Sequence, residues 1–250
     1  VKYFWIKLFA GGLSMLSFLT SLDAQSSNCG ISLEAHSDTI ICSYPSTFIA
    51  EAELTGIYDF FEWSPSGLFA DPKNPTSELT VNGPMTLVAT AYKIDSSVNY
   101  VTNGGFAAGN SGFSSEYVYQ SPTVPLPQGG YTIGDNPTNS NGGFQNCDDI
   151  TGEGLMMIAD GAIVPNVNVW CQSFTLDANT NYHFSFHSTS VFSTSPSTFT
   201  IFVNGNPVGD EVSNTGTPCE WLLHEFVFNT ENSTSIEICI LCTNIEPFGN

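Results

Sequence analysis

Four acids in a glycine-rich stretch, Asp148, Asp149, Glu153 and Asp160, are candidate oxygen donors to a metal. Hard oxygen donors of this kind suit calcium, which takes about six to eight of them. Their spacing does not follow the EF-hand loop, and a solvated acidic loop is the alternative. A structural calcium is the only cofactor the residues imply. Glycoside hydrolysis requires two carboxylates about 5 to 10 Å apart across a cleft, and no acid here lies in a motif that sets such a pair. The chain also lacks a Gly-x-Ser-x-Gly elbow, a phosphate loop and a His-Glu-x-x-His helix. The expectation is therefore a protein that is not an enzyme. His183 and His187 fall on one strand face, too far apart for one metal at about 3.3 Å per residue. Sugar recognition asks for an exposed ring to stack on a pyranose face, with amides or carboxylates close by. Tyr131, Trp170, Gln172 and Trp221 are the candidate carbohydrate-binding residues, with Tyr119 as a further ring and Asn166 and Asn168 as further amides. Core packing is the competing role for each ring.

The elements that must position these groups are extended. From Asn166 to Phe186 the chain holds two alternating segments separated by the turn-forming run Asp177-Ala-Asn-Thr-Asn181. On the second, Tyr182, Phe184 and Phe186 share a face. A strand pair with one aromatic face needs a second sheet to cover it, so much of the C-terminal half is expected to wrap around this pair.

Composition limits the partners. Aromatics make up 13% of the 250 residues, which is ample for cores, whereas charged residues reach only 11%. There are 24 acids against 4 lysines, for a formal charge of −20. Such a surface repels phosphate backbones and gains nothing from counterion release, so nucleic acid is excluded as a partner. Anionic lipid surfaces are disfavoured by the same electrostatics.

Residues 1–24 read as an export signal. Lys2 and Lys7 supply the positive start, Leu8 to Leu19 an apolar run, and Leu22-Asp-Ala24 a small residue at the cleavage point. Gly11, Gly12 and Ser14 shorten the apolar run below a spanning length, so no membrane insertion is expected once the signal is removed. The address is secreted or outer cell surface. Seven cysteines follow, and disulfides are expected in oxidising surroundings. Cys29–Cys42 closes a short loop within one domain. Among the other five, Cys147–Cys219 and Cys171–Cys242 are the expected pairs, although spacing does not discriminate between alternatives. The odd count leaves one thiol outside the intrachain pairs.

Between Ile31 and Lys93 short strands alternate with Pro and Gly punctuation: Ile31–Ala35, Thr39–Cys42, Thr47–Leu54, Asp59–Trp63, Ser77–Val81 and Met85–Tyr92. That spacing predicts a small β-sandwich of immunoglobulin size with Trp63 in its core. Phe60 and Phe61 point to opposite faces, so one of them is a candidate for exposure. Phe61-Glu-Trp-Ser-Pro-Ser-Gly-Leu68, Asn74-Pro75 and Leu87-Val-Ala-Thr-Ala-Tyr92 resemble the PKD-like and Ig-like modules of exported Bacteroidetes surface proteins. The resemblance implies a spacer or adhesion module.

After the joint at residues 94–99, Tyr100-Val-Thr-Asn-Gly-Gly-Phe106 resembles the first strand of galactose-binding-like jelly rolls, the fold of many carbohydrate-binding modules. The order Tyr131-Thr-Ile-Gly134, Cys147-Asp-Asp149, Leu155-Met-Met-Ile158, Gly161-Ala162 and Val169-Trp170 resembles a domain recurrent in proteins of gliding motility and type IX secretion. It departs from that pattern at Ile150, Leu155 and Asp160. The resemblance implies a final strand beyond Asn250, so the chain is expected to be a fragment with further domains downstream.

The expected architecture is all-β: a signal peptide at 1–24, an Ig/PKD-like β-sandwich at 25–95, and a jelly-roll β-sandwich lacking its last strand at 100–250. The expected function is non-catalytic glycan binding or adhesion, with polysaccharide or a cell-surface glycan as partner. The alternatives are a structural spacer in a large adhesin and an accessory region of a secreted polysaccharide-degrading enzyme.

Overall fold

A computed structural model describes residues 2–10, 32–35, 40–41, 45–83, 85–95, 97–150, 154–164, 166–194 and 196–243. The described residues are all-β, with strands and two short 3-10 turns. No helix among them is long and apolar enough to cross a membrane. The chain divides into two compact units, Val1–Ser97 and Val98–Asn250.

The first unit contains β1 (Lys2–Ala10), β2 (Ser32–Ala35), β3 (Ile40–Ile41), β4 (Ser46–Thr55), β5 (Phe60–Ser64), β6 (Thr76–Val81) and β7 (Met85–Tyr92). They form two sheets, ordered β3-β1-β7-β5 and β2-β4-β6. Alternation sets the faces. In β6, Ser77, Leu79 and Val81 are buried while Thr76, Glu78 and Thr80 are exposed. Ala50, Ala52, Leu79 and Val81 of one sheet share a single core with Phe61, Trp63, Leu87 and Ala89 of the other, which makes the unit a sandwich. Trp63 is fully buried, stacks on Phe69 at 5.1 Å and donates its Nε1–H to the Asn74 carbonyl at 3.0 Å. Both phenylalanines of β5 are buried, contrary to the expectation that one is exposed. Phe60, on the outer face, is covered by the Lys73 ammonium at 5.5 Å and the Tyr92 ring at 5.7 Å.

The segment expected to be the export signal supplies β1, which pairs antiparallel with β7 from Lys2↔Ala91 to Leu8↔Met85. The rest of that segment, and Cys29 and Cys42, lie outside the described residues.

The second unit contains β8 (Val118–Tyr119), β9 (Gly130–Gly134), β10 (Met156–Asp160), β11 (Val167–Thr175), β12 (Asn181–Ser188), β13 (Thr198–Val203), β14 (Asn206–Ser213), β15 (Leu222–Asn229) and β16 (Ser235–Cys242). Three sheets result, ordered β10-β9-β8, β11-β16-β13-β14 and β12-β15. The last two close on one aromatic core, where Trp170, Phe174, Ile201 and Ile238 meet Phe184, Phe226 and Phe228. β11 and β12 do not pair with each other as a hairpin. β11 pairs with β16 and β12 with β15, so the polar turn between them carries the chain from one layer to the other. The reason is that both strands turn aromatic residues inward, and Trp170 stacks on Phe184 at 5.9 Å across the gap.

The segment expected to open the jelly roll, residues 100–106, is a series of turns and not a strand. Asn103, at φ 55°, organises it by donating Nδ2–H to the carbonyls of Gly109 and Ser111 and accepting from the Ala108 amide. Asn204 and Gly205, both at positive φ, form the tight turn between β13 and β14 that their types predict.

Two disulfides staple this unit. Cys147 is joined to Cys219, as expected, and Cys171 to Cys239. The expected Cys171–Cys242 pair is therefore corrected. Cys239 stands directly opposite Cys171 in the β11–β16 register, whereas Cys242 stands opposite Val167. Burial first, and then the buried Cys242 nearby, hold the Tyr117 phenol above its usual range.

Candidate functional site

The residues proposed from sequence for sugar binding separate into different roles. Trp170 is 7% exposed and lies in the aromatic core. A ring at that depth has no face for a pyranose. Gln172, equally buried, uses its amide as a clamp: Oε1 accepts from the Thr102 amide, and Nε2 donates to the Thr102 carbonyl and hydroxyl and to the Gly112 carbonyl. One side chain thus replaces a strand ladder in holding the 102–112 loop. Trp221 is half-buried against the cluster of Leu126, Phe144 and Ile158, and its Nε1–H donates to the Asp148 carbonyl at 3.1 Å. Tyr131 is buried as well.

Tyr131 nevertheless belongs to the arrangement with the most apparent binding chemistry. β9, Gly130-Tyr-Thr-Ile-Gly134, is buried throughout because β8 and β10 flank it. Gly130 is required here, since an added Cβ would lie 2.8 Å from the Pro127 carbonyl oxygen. That close approach allows the Gly130 amide to donate to Pro127 and fixes the entry to the strand. On one face of β9, Tyr131 donates its hydroxyl proton to Asn110 Oδ1 at 2.7 Å. Burial pushes its phenol pKa up, while the Asn110 hydrogen bond pulls it partly back. Tyr131 contacts Phe113 at 6.2 Å, and Phe113 contacts Phe106 at 5.5 Å. On the other side Tyr119 of β8, its partner in register, sets its ring 5.5 Å away at 62°. The four rings form a ladder in which Tyr131 is buried, Phe106 and Phe113 are partly buried, and the last member, Tyr119, is 43% exposed.

β8 is the edge of its sheet. Val118 and Val124, near Tyr119 in sequence, are exposed, and so is Asn110 at the Tyr131 hydroxyl. Because Asn110 Oδ1 is engaged by Tyr131, the amide is oriented with its N–H groups as donors. The set is an apolar ring face braced by a buried neighbour, whose hydroxyl is in turn fixed by an amide. Sequence reasoning included Tyr119 only as one ring among several. Ring type alone does not distinguish a core residue from an edge-strand residue.

The described acids of the set, Asp148, Asp149 and Asp160, form no metal-holding group. Asp148 is exposed and Asp149 partly so, whereas Asp160 is buried on β10 with its carboxyl pushed up by burial and partly restored by Asn141. Glu153 lies outside the described residues, among which no group of three or more His, Cys, Asp or Glu is placed to hold a metal ion. His183 Nε2 lies 3.2 Å from Glu225 Oε1 on the outer face of β12 and β15.

A polar cluster that sequence reasoning missed lies inside the large core. Ser188 donates to Asn214 Oδ1 at 2.6 Å and stands 2.8 Å from His224 Nε2. With the serine proton given to Asn214, the imidazole N–H is the donor to Ser188. The His224 ring is buried and packs on Phe186 at 5.0 Å. The cluster ties β12 and β15 to Asn214, the residue that follows β14.

No family profile matches the chain, and no curated protein matches it. Among solved structures, the CBM22-1 xylan-binding domain of Xyn10C from Paenibacillus barcinonensis is similar over 52% of this chain and 83% of its own, at 14% identity and a TM-score of 0.34. A likeness of that size carries no argument about what this chain does.

Proposed function

We propose that the chain is a non-catalytic, exported glycan-binding protein whose second unit contacts sugar through Tyr119. The observation that carries this is the exposed Tyr119 ring, braced by Tyr131, which is itself locked by Asn110. A ring already held in place loses little freedom on stacking, so more of the contact energy appears as affinity. A single aromatic contact contributes only about 1 kcal/mol beyond the area it buries. Affinity per copy is therefore weak, and avidity depends on repeated sites or linked domains.

The disulfides of the second unit fit an oxidising compartment. With the export signal read in residues 1–24, they support a secreted or outer-surface address. The resemblances noted above suggest the setting: a Bacteroidetes surface protein of the gliding-motility or type IX secretion kind, with the Ig/PKD-like unit as a spacer.

The test is electrophoresis of the whole chain through gels containing neutral polysaccharides, namely a xylan, a mannan, a β-glucan and a galactan. At least one is expected to retard the wild type, and Tyr119→Ala is expected to migrate as in the empty gel. Retardation by none of them, or equal retardation of Tyr119→Ala, overturns the assignment.

A further inference from the structure

The first unit points to a second kind of partner. Its sheets are ordered β3-β1-β7-β5 and β2-β4-β6. β1 runs beside β7 over seven register pairs and also lies against β2 of the facing sheet. It therefore closes one side of the sandwich. β3 pairs with β1 and has no other strand partner among the described residues. Yet β1 is Lys2–Ala10, the start of the segment read as an export signal.

Removal of residues 1–24 reduces the first sheet to β7 and β5, still facing three strands. β7 carries Leu87, Ala89 and Ala91 into the core, all with 2% exposure or less. Its N–H and C=O groups on the vacated side lose their ladder, and the buried face of β7 loses the strand beside it. Extended peptides add to such edges, with main-chain hydrogen bonds giving affinity and pockets for alternate side chains giving specificity.

We propose that the processed first unit is a strand acceptor, taking an extended segment of another polypeptide antiparallel to β7 in the place β1 occupies. This rests on the export-signal reading of residues 1–24. The β1 register defines the guest: Phe4, Ile6 and Leu8 stand at the positions opposite Ala89, Leu87 and Met85. Large apolar residue types at alternate positions are thus the pattern the guest must carry. Charge selects further. Removing residues 1–24 takes away two lysines and one acid and leaves a formal charge of −21. A second copy of so acidic a chain is repelled, and an uncharged or basic strand with large apolar residues at alternate positions is favoured.

The experiment uses the protein as the cell secretes it, with its N-terminus read by mass spectrometry. A fluorescent peptide of the Lys2–Ala10 sequence is titrated against it, alongside a scrambled peptide in which the alternation is broken. Hydrogen exchange is followed over residues 85–92. An N-terminus at Gln25, saturable binding of the native-order peptide at least tenfold tighter than the scrambled one, and at least tenfold slower exchange in β7 on binding are the results expected. If the N-terminus is Gln25 but neither peptide binds, or β7 is as protected without peptide as with it, the strand-acceptor proposal fails while the signal reading stands. A secreted chain that still carries residues 1–24 overturns the signal reading, and the proposal with it.

Discussion

Tyr131 and Tyr119 are adjacent in the same sheet and share a face, but they perform different tasks. Tyr131 is buried and committed to Asn110, so its replacement acts through position. Tyr131→Phe keeps the ring contacts and loses the hydrogen bond, which is expected to cost about 1 kcal/mol of stability. It is also expected to weaken sugar binding severalfold by loosening the ring that braces Tyr119, and thermal melting with gel retardation measures both. Tyr119→Ala is expected to leave the melting temperature nearly unchanged, as exposed positions usually do, while removing retardation. Asp160 gives a pH prediction. Its folded pKa is raised by burial, so the folded protein binds that proton more tightly than the unfolded chain. The associated stability is present below about pH 4 and is lost as pH rises through the folded value. Asp160→Asn is therefore expected to raise the melting temperature at pH 7, with the gain vanishing near pH 3. A lower melting temperature for D160N at pH 7 would instead show that the carboxylate is held by a favourable partner. At this scale the sequence revealed residue types and faces, not depth: Trp170, Gln172 and Tyr131 have sugar-binding chemistry but occupy interior positions.

At the scale of elements, alternation located β2 to β7 and the pair β11 and β12, because a half-buried strand must alternate wherever it pairs, but it did not mark β8, β9, β10 or β14, and β9 is buried at every position. The partners were less legible for the same reason: alternation is identical for a strand joined to its neighbour and one that crosses to the opposite sheet. Hence β11 and β12 read as a hairpin and fold as a crossover. The disulfide followed the pairing, since the β11–β16 register sets Cys239 opposite Cys171. Peptide mapping without reduction is expected to recover Cys147–Cys219 and Cys171–Cys239, and a Cys171–Cys242 peptide would contradict this register. Gly209 shows how tightly β14 is fitted. It sits at φ 68°, and an added Cβ would lie 2.9 Å from the Phe226 ring. Gly209→Ala is expected to destabilise the second unit by about 1 to 3 kcal/mol, read as a lowered transition in calorimetry of the whole chain.

At the scale of the molecule, charge decides what approaches the surface. With a formal charge of −20, uronic-acid and sulfated polysaccharides are repelled, and screening weakens that repulsion only beyond about 10 Å at 0.1 M salt. Neutral polysaccharide is thus the expected class, and alginate or heparin in the gel is expected to cause no retardation at low salt. The most direct test of the account is oxidative footprinting of the whole chain with and without a saturating neutral oligosaccharide from the polysaccharide that retards it. Protection is expected at Tyr119, with Trp170 and Tyr131 unchanged because they are already covered. Protection centred on Trp221 or on any ring of the first unit, with Tyr119 oxidised as before, would contradict it.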